Sequence, residues 1–242
     1  MPRLLSQCPV LKEILDSGLV QTLDGGQVPI DSNISLAYAQ ALYETVLRKR
    51  PRVVLEVGMA FGVASLAILS ALRENGENGK LVSIDPNQLS GSWKGGGVTA
   101  VARAGFKESH ELIADYDFSA LPQLLSSGFK PNLAYIDGWH TFDYVLLDWW
   151  YLDKMLPVGG VVGFNDCGWP AIDRAIKFVL THRRYREMDV GLPVEFAKQG
   201  RKRELLRLMT LGKKNRWYRR AEDRYFEKLE NWEPNWDFFA PF

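Results

Sequence analysis

The residues most ready to do chemistry cluster first in Glu56-Val57-Gly58-Met59-Ala60-Phe61-Gly62-Val63-Ala64-Ser65, between an apolar run and a helical stretch. Glycine at Gly58 and Gly62 lets the backbone bend sharply and lets a ligand lie against the main chain. A helix that follows such a turn offers free N–H groups to an anionic group. The spacing reads E-x-G-x-x-x-G rather than the G-x-G-x-x-G of a dinucleotide site, and no P-loop lysine follows. Nucleoside triphosphate binding is therefore not expected. Asp85 ends the next apolar run, where a carboxylate can accept hydrogen bonds from a ribose diol. Ahead of Pro86 it also suits a turn. Turn and acid together point to an adenosine-containing ligand.

The elements that must position these residues alternate along the chain. Residues 35–49 place Leu36, Ala39, Leu42, Tyr43 and Val46 on one helical stripe that Pro51 ends. RVVLEV (52–57) is a short apolar run, as in a strand buried on both faces. A helix to Gly76, a strand at 80–85, a helix around 97–105 and a strand at 108–114 follow. The strand at 132–137, the helix at 144–156 and the strand at 160–166 continue the pattern. Strands spaced by helices at this interval predict an α/β, doubly wound parallel sheet with helices on both faces. Beyond residue 183, RYREMDV (184–190) and RELLRLMTL (203–211) read as an antiparallel pair at a sheet edge.

Composition narrows the classes. A chain of 242 residues, 46% hydrophobic, can bury a large core and is not mainly disordered. A formal charge of +1 points to no polyanionic partner, and Cys8 and Cys167 cannot build a disulfide framework or a cysteine zinc cluster. No apolar run is long enough to span a membrane. The first residues carry Lys12, Glu13 and Asp16 where a secretory signal would be apolar, so a cytoplasmic location is expected. Charge is uneven: residues 198–220 hold ten basic side chains against the single acid Glu204. Such a segment is either a solvated face or a surface for an anionic partner.

The ordered segments VVLEVGMAFGVASLAI, SIDP, AYIDGWH and LPVGGVVGFND resemble the motifs of class I S-adenosylmethionine-dependent methyltransferases, over roughly residues 30–190. The resemblance implies a Rossmann-like sheet of seven strands, mostly parallel with an antiparallel last strand. It also implies a cofactor site drawn from Glu56, Gly58, Ala60, Gly62, Ser65, Asp85, Asp115 and Asp137. Glu56 and Gly58 would flank the methionine part and Asp85 would hold the ribose. Asp115 either contacts adenine or caps the helix that follows it.

Nucleic-acid and protein enzymes of this fold often carry an N/D-P-P-Y motif after the fourth strand, where this chain reads Ile136-Asp137-Gly138-Trp139-His140. With Asn165-Asp166 after the fifth strand, the pattern is similar to small-molecule O-methyltransferases of the catechol and antibiotic-sugar types. In their strand order Asp137 and Asp166 would meet at the ligand edge, and with the Asn165 carbonyl they would suit Mg²⁺ as an optional cation. Catechol-type enzymes read Asp-Asn where this chain reads Asn165-Asp166, and place a catalytic Lys where it has His140. An imidazole titrating near 6.5 is the better base at neutral pH, so His140 and Asp137 are the catalytic candidates. Trp139 and Trp169 are candidates for a flat substrate wall, whereas Phe142, Tyr144, Trp149 and Trp150 read mainly as core. His110 and His182 read as structural or surface residues.

The expected organisation is an N-terminal flap or helical extension at 1–34, a core at 35–212, and a C-terminal helix with an aromatic tail at 213–242. The extension carries the glycine-bearing loop GGQVPIDSNIS, and the last segment a charged helix-like run from Arg216 to Glu230. One or both would close over the acceptor, and the tail NWEPNWDFFAPF would dock on its own chain or join a homodimer. The resemblance thus implies O-methylation of a phenol, sugar or other natural-product-like hydroxyl, with no membrane partner. Two alternatives stand beside it: an RNA methyltransferase using the 198–220 segment, disfavoured by the missing N/D-P-P-Y, and a non-catalytic Rossmann-like binding module.

Overall fold

A computed structural model describes residues 2–76, 78–89, 91–192, 195–198, 217–220 and 223–242. Helices α1 (Arg3–Gln7) and α2 (Pro9–Ser17) lead into a small hairpin, β1 (Leu19–Gln21) and β2 (Gln27–Pro29). Helix α3 (Leu36–Lys49) starts at Ser35, whose hydroxyl accepts the Tyr38 N–H, and ends at the left-handed Arg50. There follow β3 (Val53–Val57), α4 (Val63–Glu74), β4 (Lys80–Ile84), α5 (Gly96–Arg103), β5 (His110–Ile113) and α6 (Asp117–Ser126). The chain goes on through β6 (Leu133–Ile136), α7 (Phe142–Met155), β7 (Val161–Phe164), α8 (Pro170–His182) and β8 (Tyr185–Met188). It closes with β9 (Glu195–Lys198), β10 (Trp217–Arg220) and β11 (Arg224–Lys228).

Seven strands form one sheet in the order β5-β4-β3-β6-β7-β11-β8. The pairs from β5 to β7 are parallel, as the alternating pattern predicts, while β11, the last strand, runs antiparallel to both β7 and β8. A core lies on each face. One face packs Leu4, Leu11, Ile14, Leu42, Tyr43, Leu66 and Tyr135, drawn from α1 to α4 and the sheet. The other packs Trp149, Leu152, Phe164, Ile172 and Ile176, from α7, α8 and the sheet. Every residue of α4 from Val63 to Leu72 is buried, because sheet, α3 and α5 enclose it.

The charged run from Arg216 to Glu230 corrects the sequence expectation: it holds the strands β10 and β11 and no helix among its described residues. Its composition misleads because β11 is buried on both faces and so shows no period. Tyr225 enters one core and Phe226 the other. The charges around them are paired rather than solvated: Arg224 with Glu187, Glu227 with Lys49 and Arg186, Lys228 with Asp153. The edge pair is therefore β8 with β11, and the strand expected at 203–211 lies outside the described residues, as does most of the basic segment.

The N-terminal residues pack into the first core through Leu4, Cys8, Leu11 and Ile14, and Leu23 donates its N–H to the Lys94 carbonyl at 3.0 Å. The aromatic tail docks on its own chain. Phe242 stacks on Phe142, meets Phe178 and His182 edge-on, and lies under the Arg174 guanidinium. Trp236 stays 97% exposed. Among the described residues no helix is long and apolar enough to cross a membrane.

Candidate active site

The candidate residues gather where β3, β4, β6 and β7 end. The turn after β3 is tightly built. Gly58 (φ +85°) donates to the Ile84 carbonyl at 2.9 Å, and a Cβ there would sit 2.0 Å from the Asp137 carbonyl oxygen. The loops after β3 and β6 thus touch backbone to backbone. Ala60 adopts φ +44°, a conformation that L-residues rarely take, and Gly62 (φ +82°) begins α4.

Asp85 holds this turn. Its Oδ2 accepts the N–H groups of Met59 at 3.1 Å and Ala60 at 2.9 Å, and its Oδ1 accepts Asn87 N–H at 2.8 Å. Gln88, which sequence reasoning missed, donates from Nε2 to the Ala60 carbonyl at 2.5 Å and to Asp85 Oδ2 at 3.2 Å. Its Oε1 is buried without a partner. The only sequence signal for Gln88 is its place one turn beyond Asp85.

Glu56 and Ser65 lie beneath the turn, joined by a hydrogen bond of 2.7 Å, and burial pushes the Glu56 carboxyl up to about 8. Asp115 accepts the Ser119 hydroxyl at 2.6 Å and the Tyr116 N–H at 2.8 Å, local hydrogen bonds that hold its carboxyl below the usual range, while α6 itself starts at Tyr116 with no side-chain cap.

His140 stands between two carboxylates. Its Nε2 is 3.5 Å from Asp137 Oδ1, and its Nδ1 is 3.6 Å from Asp166 Oδ2. Burial pulls the imidazole down, but the facing charges of Asp137 and Asp166 outweigh it and raise it above 6.5. Desolvation in turn lifts Asp137 to about 6 and raises Asp166. The Trp169 ring lies 5.2 Å from the imidazole, centre to centre, and Trp139 is 66% exposed beside it. Trp149 is fully buried, as its helical spacing predicts.

Asn165 is engaged on its amide-nitrogen side. Its Nδ2 donates to Asp223 Oδ1 at 2.9 Å, and Asp223 also accepts the hydroxyls of Tyr225 at 2.9 Å and Tyr135 at 3.0 Å. Burial lifts this carboxyl to about 7. Asp223 just precedes β11 and lies far from the other site residues in sequence, so no local motif reveals it. The imidazole stands between Asp137 and Asp166, and the Asn165 Nδ2 is engaged by Asp223. Among the described residues no group of three or more His, Cys, Asp or Glu could hold a metal ion.

Residues 55–167 match the family model described as a methyltransferase domain. No curated protein sequence matches the chain. In fold the chain is similar to an O-methyltransferase from Bacillus cereus in complex with SAH, at 12% identity and a TM-score of 0.65, covering 92% of this chain and 91% of that one. It is also similar to TomG, an O-methyltransferase of Streptomyces achromogenes involved in tomaymycin synthesis, solved with SAM (15% identity, TM-score 0.62, covering 94% of this chain and 89% of that one). A SAH-bound methyltransferase of Podospora anserina, PaMTH1, aligns at 13% identity and a TM-score of 0.59, covering 95% of this chain and 89% of that one. The segment that carries the glycine turn, Asp85, Asp137 and His140 thus matches a methyltransferase-domain model, and the chain's fold is similar to that of O-methyltransferases solved with SAH or SAM.

Proposed function

We propose that the protein is an S-adenosylmethionine-dependent O-methyltransferase whose acceptor is a small molecule bearing a hydroxyl. One observation carries the reading. The His140 imidazole is held at 3.5 and 3.6 Å from the carboxylates of Asp137 and Asp166, on the edge of the sheet that also carries the glycine turn. When bound, the cofactor supplies a methyl group on a sulfonium, open to in-line attack. The chain holds acceptor and cofactor in line, which supplies much of the rate. One ring nitrogen of His140 takes the hydroxyl proton, and the carboxylate facing the other nitrogen stabilises the imidazolium that forms. Trp139 and Trp169 offer flat walls to the acceptor. Glu56, Gly58, Ala60, Gly62, Ser65, Asp85 and Asp115 form the cofactor side. The transfer proposed here routes no step through Mg²⁺.

Calorimetry with S-adenosylmethionine and with its demethylated product, S-adenosylhomocysteine (SAH), tests the reading. Both are expected to bind, and labelled methyl transfer to a pool of small hydroxyl compounds is expected to persist in excess chelator. A protein that binds neither compound is not this enzyme. Loss of transfer on chelation would restore the cation to Asp137 and Asp166.

We assign the tail a second role, at the contact of a homodimer. The 97% exposed Trp236 supports it, an aromatic ring left in water beside a docked segment. Truncation after Glu230 is expected to reduce the sedimenting species to a monomer. A species with the same number of subunits as the full chain would remove the tail from the interface.

A further inference from the structure

Glu56 is fully enclosed, at 0% exposure. Its Oε2 meets two hydroxyls, Ser65 from α4 at 2.7 Å and Ser83 from β4 at 2.6 Å. Its Oε1 is buried with no partner. Behind Ser83, His110 Nε2 lies 3.0 Å from the same hydroxyl, so a hydrogen-bonded chain crosses β3, β4 and β5.

This chain can run in either direction. With Glu56 ionised, His110 donates to Ser83 and Ser83 donates to Oε2. With Glu56 protonated at Oε2, Glu56 donates to Ser83 and Ser83 donates to the other tautomer of His110. The Oε2 side is therefore satisfied in both states, and Oε1 decides between them. A buried carboxylate oxygen with no donor disfavours the ionised form. The surroundings add nothing to favour it: the charged groups acting on Glu56 are Asp137 and Asp85, both acids, and desolvation is the largest effect. Burial holds His110 down at about 4, so it stays neutral and brings no positive charge.

We propose that Glu56 is protonated in the cofactor-free protein and releases its proton when the ammonium of the cofactor's amino-acid end reaches Oε1. This rests on the cofactor reading above. Of that ligand's two cationic centres only the ammonium can donate a hydrogen bond, since the sulfonium carries no N–H. Glu56 stands near the end of β3, two positions before Gly58 of the turn against which a ligand would lie. The Glu56 O–H bond breaks, its proton goes to solvent, and the ammonium keeps its protons while donating one hydrogen bond to Oε1. Cofactor binding is thereby linked to pH.

Calorimetric titration of the full chain with SAH, which has the ammonium but no methyl to transfer, tests this in two buffers of different ionisation enthalpy. The expected result is release of close to one proton per SAH bound, with affinity rising about tenfold per pH unit between about pH 6 and 8. Glu56→Gln, which keeps an acceptor oxygen and no titratable proton, is expected to abolish the release and flatten the slope. The wild-type titration decides the matter even if that variant is unstable. SAH binding with no proton exchanged overturns the proposal and leaves the methyltransferase reading standing. So does an undiminished release in Glu56→Gln. Absence of SAH binding at every pH overturns both.

Discussion

His140→Gln is expected to lower kcat by roughly 10²- to 10⁴-fold, the scale of a lost general base, and to leave SAH affinity unchanged. Glutamine fills much of the same space between Asp137 and Asp166 and still donates a hydrogen bond, but it cannot take a proton at neutral pH. The pH profile separates this role from a structural one. The folded protein raises His140 above its ordinary value, so the free base accumulates only above that raised value. The wild-type rate should climb with pH and level off once the imidazole is neutral, and the His140→Gln rate should lack that limb. Asp137→Asn supplies the converse. Without the Asp137 charge only Asp166 opposes burial, the imidazole pKa falls, and the limb moves to lower pH. Unchanged kcat in His140→Gln, or a limb that stays put in Asp137→Asn, would remove His140 from the reaction.

Gly58→Ala is expected to be the most damaging methyl group that can be added to the glycine turn. Two effects act together there. A φ of +85° is costly for any residue with a Cβ, by about 1–3 kcal/mol. The added carbon would lie 2.0 Å from the Asp137 carbonyl oxygen, a backbone atom that cannot swing away, and such overpacking costs about 1–3 kcal/mol or more. Together these remove roughly 2–6 kcal/mol from a stability that is typically about 5–15 kcal/mol. At about 2–4 °C per kcal/mol, Tm should fall by roughly 5–20 °C. Gly105→Ala is the internal control: its φ is +77°, yet nothing lies within 4 Å of the added carbon. It should lose only the first contribution. Equal melting of the two variants would mean that the close approach of the β3 and β6 turns is absent.

The parallel part of the sheet was legible because β3, β4, β6 and β7 are short apolar runs set between helical stretches, and burial on both faces leaves them few polar residues. The turn was legible because left-handed backbone at Gly58 and Gly62 selects glycine, which stands out in any sequence. Asp85 was legible as an acid at a strand end, but its grip on Met59 and Ala60 was not, because that is a matter of which way a carboxylate turns. Asn165 shows the same limit: its neighbour Asp166 faces His140, while Asn165 faces Asp223. The misread segment was β11. Its Arg, Glu and Lys residues have partners on α3, α7 and β8, and composition cannot distinguish a paired charge from a solvated one. Ser83 and His110 stayed silent for a related reason, being ordinary strand residues whose role exists only across strands.

The place of β11 has a consequence for how the protein is made. The strand that fills the gap between β7 and β8 is the last of the sheet's seven to be synthesised, and Asp223, which anchors Asn165 under the site, arrives with it. Chains are synthesised at about 5–20 residues per second and begin to fold from the N-terminus, so the half around β3 to β6 can assemble early. The floor beneath Asp166 cannot. Until β11 inserts, β7 offers an open edge and Tyr135, deep in the sheet, lacks its carboxylate partner. A prematurely terminated chain would therefore carry the glycine turn but not the support under its acid–imidazole cluster. Competence therefore waits on β11.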